Sequence, residues 1–202
     1  KIPKNLDQFC LMIVLGGPMN VWMEEKHPWL IEEKKAIKKF VVELKKPFIG
    51  ICLGCQLLGE VLGGKVVKSK KPEIGFFKVF CKKIIATDLF INFLPKEFYV
   101  FQWHNYEVSK INIKEINVLA ETSNTKNQIF RYGKHAYGIQ FHIEVDLETI
   151  IKWSEDVDFK KKLKNLYGQN IKKAIKENYT NEIEMMNLYC KKFIKNLAKY
   201  VK

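Results

Sequence analysis

Arginine is almost missing from this sequence of 202 residues. The chain has 35 basic and 22 acidic residues, which gives a formal net charge of +13, but Arg131 is the only arginine. A basic chain suggests a polyanionic partner. Recognition of phosphates and bases, however, favours the guanidinium fork of arginine, and the lysines are spread along the whole chain. The composition therefore argues against nucleic acid as a partner.

Long apolar runs are missing as well. The longest stretches, such as residues 9–15, fall far short of the ~18 residues of a membrane span, and the first residues contain no signal-peptide segment. Five cysteines are an odd number in a chain long enough to bury a core without cross-links, which favours free thiols over a disulfide framework. We therefore expect a cytoplasmic protein with no membrane partner.

The length predicts a single domain over residues 1–202. Residues 11–15 form an apolar run closed by Gly16, Gly17 and Pro18, a pattern typical of a buried strand that ends in a turn. The pattern then predicts a helix over residues 30–45, a strand over residues 48–51 and a short helix that ends at two glycines. This alternation indicates a parallel sheet with its ligand site at the carboxyl ends of the strands.

The second half of the chain has two different textures. Up to residue 146 we expect short strands that complete the sheet and add a hairpin. From about residue 147 to residue 202, apolar residues at helical spacing among lysines predict packing helices. The expected fold class is α/β, with a mostly parallel open sheet, helices on both faces and a helical C-terminal extension. The predicted strands cover residues 74–80, 98–103, 116–120, 128–132 and 137–145.

The sharpest chemical signal is Gly50-Ile51-Cys52-Leu53-Gly54, which has the form G-x-C-x-G between a predicted strand and a predicted helix. A nucleophile elbow needs small residues on both sides of the nucleophile because the turn is tight. The helix that follows offers its backbone N–H groups and its positive dipole end, which favour the reactive thiolate. Cys52 is therefore the candidate nucleophile.

Other interpretations of Cys52 stay open from the residues alone. A cysteine between leucine-rich elements is often a small buried hydrophobe, and Cys52 with Cys55 spells C-x-x-C, a redox or metal pattern. A zinc site needs a second pair of ligands, which the other cysteines and histidines do not supply at finger-like spacing. We therefore expect no metal site, and a redox role of the two cysteines remains an alternative.

A second chemical signal lies near the end of the predicted sheet. Between residues 137 and 146, apolar residues alternate strictly with the others, which predicts a strand with His142 and Glu144 on the same face. A carboxylate in this position accepts the imidazole N–H and fixes the tautomer of a general base. Together with the elbow cysteine, the pair favours a triad of Cys52, His142 and Glu144.

Three motifs resemble class I glutamine amidotransferases in sequence, order and rough spacing. They are Gly16-Gly17-Pro18, the elbow segment from Gly50 to Gln56, and Gln140-Phe141-His142-Ile143-Glu144. Further segments are similar to stand-alone proteins related to the amidotransferase domain of GMP synthetase, so that the resemblance covers almost the whole chain. These further segments are Glu73-Ile74-Gly75, Trp103-His104, Phe130-Arg131-Tyr132-Gly133 and the helical tail. The resemblance as a whole implies a flavodoxin-like three-layer sandwich fold.

The resemblance also implies a role for each catalytic position. Cys52 matches the family's nucleophile, His142 its general base and acid, and Glu144 the residue that orients the histidine. The backbone N–H groups of Gly17 and Leu53 match the oxyanion hole. The implied reaction is hydrolysis of the γ-carboxamide of glutamine through a γ-glutamyl thioester, with release of ammonia and without a metal or an organic cofactor.

The residues implied for substrate recognition match the family's pattern only in part. The resemblance implies that Gln56, Trp103 and His104 contact the substrate. Related proteins often continue after Trp-His with Gly-Asp, whereas this sequence has Asn105-Tyr106. An alternative is therefore a γ-glutamyl peptidase that cleaves γ-glutamyl conjugates. No synthetase or nucleotide-binding motif follows, which implies that an ammonia-accepting synthetase is a separate polypeptide.

Two further expectations concern the chain as a whole. Family members usually have a strand and a helix before the position that Lys1 occupies, and we expect this leading βα unit to be absent here. An alternative of another class is a non-catalytic regulatory or binding subunit that keeps the pocket and works through a partner. The intact set of Cys52, His142 and Glu144 argues against that alternative.

Overall fold

The computed structural model describes residues 2–111 and 114–200, without the side chains of residues 157–159 and 200. The strands are β1 (Met12–Val14), β2 (Phe48–Ile51), β3 (Lys65–Cys81), β4 (Glu97–Ser109), β5 (Ile116–Glu121), β6 (Ile129–Tyr132) and β7 (Ala136–Ile139). The helices are α1 (Trp29–Lys38), α2 (Leu53–Val61), α3 (Leu147–Trp153), α4 (Val157–Tyr167) and α5 (Ile171–Tyr200). Over the described residues the strands form one sheet in the order β1-β2-β7-β6-β5-β3-β4.

The expected α/β fold class is confirmed, with one difference in the sheet. β1, β2 and β7 are parallel to one another, but the four pairings from β7 through β6 and β5 to β3 and β4 are antiparallel. The sheet is therefore mixed and not mostly parallel. The connections explain the difference, because a helix crosses over between β1 and β2 whereas short turns and a long hairpin join the later strands.

The two faces of the sheet carry separate cores, as expected for helices on both faces. Phe48 of β2 packs in one core with side chains from α1 and α2, including Ile37 and Leu57. Ile49, the next residue, packs in the other core with side chains from α3 and α5, including Ile150. Successive side chains of a strand point to opposite faces, so that both sides of β2 are buried.

The C-terminal region is helical as predicted, except that residues 201 and 202 lie outside the described residues. The core that contains Ile49 also buries apolar side chains of the last two helices. They are Leu163 of α4 and Ile175, Met186 and Phe193 of α5. α5 contains a kink at Tyr179, where φ is −133° and ψ is 15°. Within the described ranges, no helix has the length and apolar run that crossing a bilayer requires.

Two local predictions were wrong in extent. The first helix was predicted over residues 30–45, but α1 ends at Lys38 and a five-residue π-helical turn, Lys39–Glu43, follows it. The strand predicted over residues 137–145 ends at Ile139 as β7. The residues beyond Ile139 are irregular, with a single bridge between His142 and Phe101 of β4. This irregular segment carries two of the predicted catalytic residues.

Candidate functional site

Cys52 occupies a strained turn between β2 and α2. Its φ of 52° and ψ of −104° lie outside the regions that a side chain normally allows. Its N–H donates to the carbonyl of Ile139 on β7 at 2.8 Å, and its carbonyl accepts the Gln56 N–H at 3.1 Å. The backbone is thus held from both sides, and strain of this kind is found where a side chain must be presented in a fixed direction.

The two glycines of the elbow are required by close backbone contacts. A Cβ atom on Gly50 would lie 2.3 Å from the carbonyl oxygen of Gly54. A Cβ atom on Gly54 would lie 2.1 Å from the carbonyl oxygen of Val14 on β1. These distances are far below van der Waals contact, so the turn has no space for a side chain at either position. The structure supports the steric argument for G-x-C-x-G.

His142 and Glu144 form the contact that the sequence predicted, although they do not lie on a strand. The Nδ1 atom of His142 is 2.6 Å from Oε1 of Glu144. The backbone N–H of His142 donates to the backbone carbonyl of Phe101 at 2.9 Å. Phe141 and Ile143, the neighbours of His142 on either side, are buried and anchor the segment in the core. His142 is itself buried whereas Glu144 is exposed, so the two side chains meet although burial does not alternate along this segment.

Cys52 and His142 lie close together although 90 residues separate them in the chain. The side chain of Cys52 is close enough to the imidazole of His142 to raise its pKa, and the Glu144 carboxylate raises it as well. A Cβ atom on Gly16 would lie 2.9 Å from Cε1 of His142 and 3.3 Å from Cβ of Cys52. Glycine at this position therefore leaves the space in which the two side chains approach each other.

The surroundings of His142 favour its charged form. Burial lowers the pKa of the imidazole, but the Cys52 sulfur and the Glu144 carboxylate raise it further than burial lowers it, to about 10 from an ordinary value of 6.5. His142 is only 4% exposed, so water screens these interactions little. A positive charge next to a cysteine is the kind of environment in which proteins activate nucleophilic cysteines.

Trp153, at the end of α3, covers the imidazole and was not found by sequence reasoning. Its ring lies 5.0 Å from the His142 ring at an angle of 77°, and it also contacts the rings of Trp103 and Phe101. The Asp146 carboxylate accepts the Thr149 N–H at 2.8 Å and so caps the helix that carries Trp153. An aspartate followed by an apolar helical pattern was the only sequence signal, and it indicated a helix start without indicating a site.

The predicted oxyanion-hole residues lie next to each other. Leu53 is the first residue of α2, where a helix leaves its N–H groups without internal acceptors. A Cβ atom on Gly17 would lie 3.1 Å from Cδ2 of Leu53, so the turn after β1 packs on the start of the helix. The placement supports both residues as neighbours of Cys52. Their role toward an oxyanion stays a prediction.

Gln56 is a buried residue of α2 with partners inside the protein. Its Nε2 donates to the backbone carbonyl of Tyr106 at 3.0 Å and to Oε1 of Gln140 at 3.3 Å. These bonds tie the elbow helix to β4 and to the segment that leads to His142. The predicted contact between Gln56 and bound glutamine stays a prediction, because in this arrangement the amide nitrogen of Gln56 already has two acceptors.

Trp103 and His104 are neighbours in the sequence with different surroundings. The backbone carbonyl of Trp103 lies 3.9 Å from Sγ of Cys52, and its ring packs on Trp153, which places this residue at the site. His104 is 3% exposed; its Nε2 lies 3.0 Å from Oε2 of Glu73 and its Nδ1 lies 3.0 Å from the Tyr106 carbonyl oxygen. Both ring nitrogens are occupied, so the geometry favours a structural role for His104 over the predicted substrate contact.

Aromatic and charged side chains surround the residues that replace the usual Gly-Asp. Tyr106 packs edge-to-face on Trp22, with ring centroids 4.8 Å apart. Oε2 of Glu107 accepts a hydrogen bond from Thr125 at 2.7 Å.

In the described part of the chain, no three His, Cys, Asp or Glu side chains are placed to share a metal ion.

The raised pKa of His142 predicts a titration that NMR can measure. The folded pKa of about 10 exceeds the ordinary 6.5, so the ring should stay protonated throughout neutral pH. The associated stability should be complete below pH 6.5 and lost as pH rises through about 10. Glu144→Gln should lower the pKa because it removes a negative partner, whereas Glu148→Gln, on the exposed surface of α3, should leave it unchanged. A ring that titrates near its ordinary value would contradict the assignment.

Comparison with known proteins gives a consistent assignment. The family model "Glutamine amidotransferase class-I" matches residues 2–152. A glutamine amidotransferase-like protein of Salmonella typhimurium is 31% identical over 153 residues, covering 74% of this chain and 62% of the relative. One of the subunits of the glutamine-hydrolysing GMP synthase of Saccharolobus solfataricus is 32% identical over 143 residues, covering 70% of this chain and 71% of that protein. The chain thus spans less than two thirds of the Salmonella relative.

The solved structures agree with the sequence comparison. The crystal structure of a glutamine amidotransferase from Thermotoga maritima superposes with a TM-score of 0.82 at 30% identity, covering 100% of this chain and 82% of that one. The match extends over α4 and α5, which lie beyond the residues that the family model matches. Because the family model covers more than half of the sequence, the chain belongs to the class I glutamine amidotransferase family.

Proposed function

We propose that this protein hydrolyses the γ-carboxamide of glutamine and releases ammonia. The observation that carries the proposal is the contact of Cys52, in its strained elbow, with an imidazole that Glu144 holds from the other side. A nucleophile, a base and a carboxylate that orients the base form an arrangement suited to acyl transfer. Family membership supports the same chemistry.

The proposed reaction has two halves. The Cys52 thiolate attacks the γ-carbonyl carbon, and the N–H groups of Gly17 and Leu53 stabilise the negative charge that forms on the carbonyl oxygen. The His142 imidazolium donates its proton to the leaving nitrogen, the C–N bond of the tetrahedral intermediate breaks, and ammonia departs while a γ-glutamyl thioester remains on Cys52. The neutral imidazole then takes a proton from water, the hydroxide attacks the thioester, and glutamate leaves as the thiolate forms again. Glu144 keeps one imidazole tautomer throughout.

The proposed partner is a separate synthetase that consumes the ammonia. The Saccharolobus relative is named as one of the subunits of a glutamine-hydrolysing GMP synthase, and a protein of the same name from Sulfolobus acidocaldarius is 32% identical over 146 residues. By analogy, we place the ammonia-accepting enzyme on another polypeptide. We place the reaction in the cytoplasm, where reduced thiols persist, because all five cysteines are free.

We infer a second candidate, γ-glutamyl peptidase activity, from the side chains that surround Tyr106. Trp22 and Tyr106 pack together where related proteins often have a carboxylate in the matching segment, and Glu107 is already bonded to Thr125. Aromatic side chains suit an apolar amine as the leaving group of a γ-glutamyl conjugate.

Product analysis tests the proposal and separates the two candidates. We expect stoichiometric ammonia and glutamate from L-glutamine incubated with the purified protein. Release of an aromatic amine from a γ-glutamyl arylamide, at a higher kcat/KM than ammonia release from glutamine, would instead establish the peptidase. Release of neither product by folded protein, alone or with an added synthetase, would overturn both and favour the non-catalytic alternative.

A further inference from the structure

The proposed hydrolysis leaves the buried carboxylate of Glu73 on β3 unused. Its Oε1 accepts a hydrogen bond from the Thr122 hydroxyl at 2.5 Å, and its Oε2 accepts one from Nε2 of Gln128 at 2.6 Å. Nε2 of His104 lies 3.0 Å from the same Oε2 atom. An ionised carboxylate only accepts hydrogen bonds, so three neighbours that can each donate suit its charged form. The contacts of Glu73 are those of a carboxylate anion held in a fixed place.

The register of the sheet brings Glu73 and His104 together. They are cross-strand partners in the antiparallel pairing of β3 with β4, directly after a register shift that follows Lys68. Side chains of directly opposed residues point to the same face of a sheet and are close neighbours. Gln128, which donates to Glu73, accepts a hydrogen bond from Gln102 of β4 at 2.8 Å. Both strands thus fix the position of the carboxylate.

The two neighbours of the His104 ring determine where its protons lie. Nδ1 is 3.0 Å from the backbone carbonyl oxygen of Tyr106, which can only accept, so this nitrogen carries a proton. Nε2 faces the Glu73 carboxylate. Imidazole is ordinarily a stronger base than a carboxylate, and the two further donors on Glu73 stabilise its negative charge, so the proton between them belongs to the ring. The ring thus donates from both nitrogens, and the two residues form an ion pair inside the protein.

The Tyr106 carbonyl connects this ion pair to the candidate site. The same carbonyl oxygen accepts a hydrogen bond from the side-chain amide of Gln56 at 3.0 Å. Gln56 lies one helical turn after Cys52, whose carbonyl accepts its backbone N–H. On the other side of His104, the Trp103 carbonyl lies 3.9 Å from Sγ of Cys52. The segment 103–106 therefore contacts the elbow and its helix at two points, and His104, which the ion pair fixes, lies between them.

We propose that Glu73 and His104 are positioning residues of the candidate site. The carboxylate keeps both ring nitrogens of His104 protonated, and the Nδ1–H then holds the Tyr106 carbonyl in the place where Gln56 binds it. A neutral ring that donates to Glu73 through Nε2 would turn the lone pair of Nδ1 toward the carbonyl oxygen, and two acceptors repel each other. Segment 103–106 therefore depends on a charge that touches no reacting atom. The inference rests on the proposed function only where hydrolysis rates are compared.

Glu73→Gln keeps the shape of the side chain and removes only its charge. In NMR of ¹⁵N-labelled protein we expect two protons on the His104 ring in wild type and one in the variant. The side-chain amide signals of Gln56 should shift in the variant, because the Tyr106 carbonyl is no longer held. KM for glutamine should rise about tenfold or more while kcat falls less, since segment 103–106 loses its order whereas the contacts of the triad do not involve the pair.

Two double variants separate positioning from the mere pairing of buried polar groups. Glu73→Gln with His104→Asn places an amide nitrogen on Cγ, as Nδ1 is, so that it donates to the Tyr106 carbonyl without a charge. Glu73→Gln with His104→Gln places the amide nitrogen near the position of Nε2, where it faces β3 instead. We expect the first double variant to return KM to within about threefold of wild type, and the second to keep the raised KM of Glu73→Gln.

Glu97→Gln is the matched control, because it removes a carboxylate that pairs with Lys78 on the surface of the same two strands. It should change neither the His104 ring nor KM. A single ring proton on His104 in wild type, or equal KM values in the two double variants, would overturn the proposal. If Glu73→Gln fails to fold, the wild-type proton count and the comparison of His104→Asn with His104→Gln decide. The expected NMR changes in a protein that hydrolyses no glutamine would support this inference while refuting the proposed function.

Discussion

Replacing Cys52 with alanine is expected to reduce ammonia release from glutamine by roughly 10⁴-fold or more, because the nucleophile and its covalent intermediate are both removed. Alanine keeps the backbone strain at φ 52° and removes only Sγ, so the free energy of unfolding should change by about 1 kcal/mol or less. The loss should therefore appear in kcat with the folded fraction unchanged. Coupled detection of glutamate, beside thermal unfolding of the same samples, measures both quantities.

Cys81→Ala is the matched control for this experiment. It also deletes a partly buried sulfur, but on β3, outside the contacts of His142. We expect its rate to remain within about a factor of two of wild type, since it touches no reacting group. Unchanged turnover in Cys52→Ala would show that another group performs the attack. The triad assignment would then be wrong, whatever the reaction is.

Replacing Gly54 with alanine is expected to destabilise the protein by about 3 kcal/mol or more. The new Cβ atom would lie 2.1 Å from the Val14 carbonyl oxygen, and this neighbour is backbone that cannot rotate away. α2 would have to move away from β1, and Cys52 at the start of α2 would move with it. Urea denaturation should show the loss, with a fall in melting temperature of about 6–12 °C for a chain of this size.

Gly63→Ala separates steric conflict from backbone strain. Gly63 has a φ of +79° with no other atom within 4 Å of the new Cβ, so its replacement should cost about 1 kcal/mol through the left-handed backbone alone. Thiol alkylation of Cys52 should slow in Gly54→Ala and remain unchanged in Gly63→Ala. Equal destabilisation by the two substitutions would refute the close packing of α2 on β1 as the reason for glycine in the motif.

Much of the site was predictable because its signals are local. The tightness of a strand-to-helix turn requires small neighbours, which is why Gly50 and Gly54 indicated Cys52. A two-residue spacing with buried neighbours indicated that His142 and Glu144 share a side, even though the strand ends at Ile139. The prediction that β1 and β2 are parallel was also correct, because two apolar strands joined by an amphipathic helix have few other ways to pack.

Other features could not be predicted because they depend on contacts between distant segments. The direction of β3 to β6 follows from which strands become neighbours in space, and strand composition does not encode this. The ring of Trp153 reaches His142 only once the end of α3 packs against the segment that follows β7. The hydrogen bond between Nε2 of His104 and Glu73 on the paired strand is another contact of this kind, and the substrate contact that the motif resemblance implied for His104 stays a prediction.

The sequence by itself determined the family, the strand and helix types around the elbow, and the three candidate catalytic residues. These features depend on sterics and periodicity within a few residues, which the local sequence specifies. Only the tertiary structure decided that Cys52 and His142 approach each other, that the ring of Trp153 packs on the imidazole, and that Cys52 and Glu144 raise the imidazole pKa. Such properties arise from burial and from charges brought together across the sheet, and an isolated segment has neither.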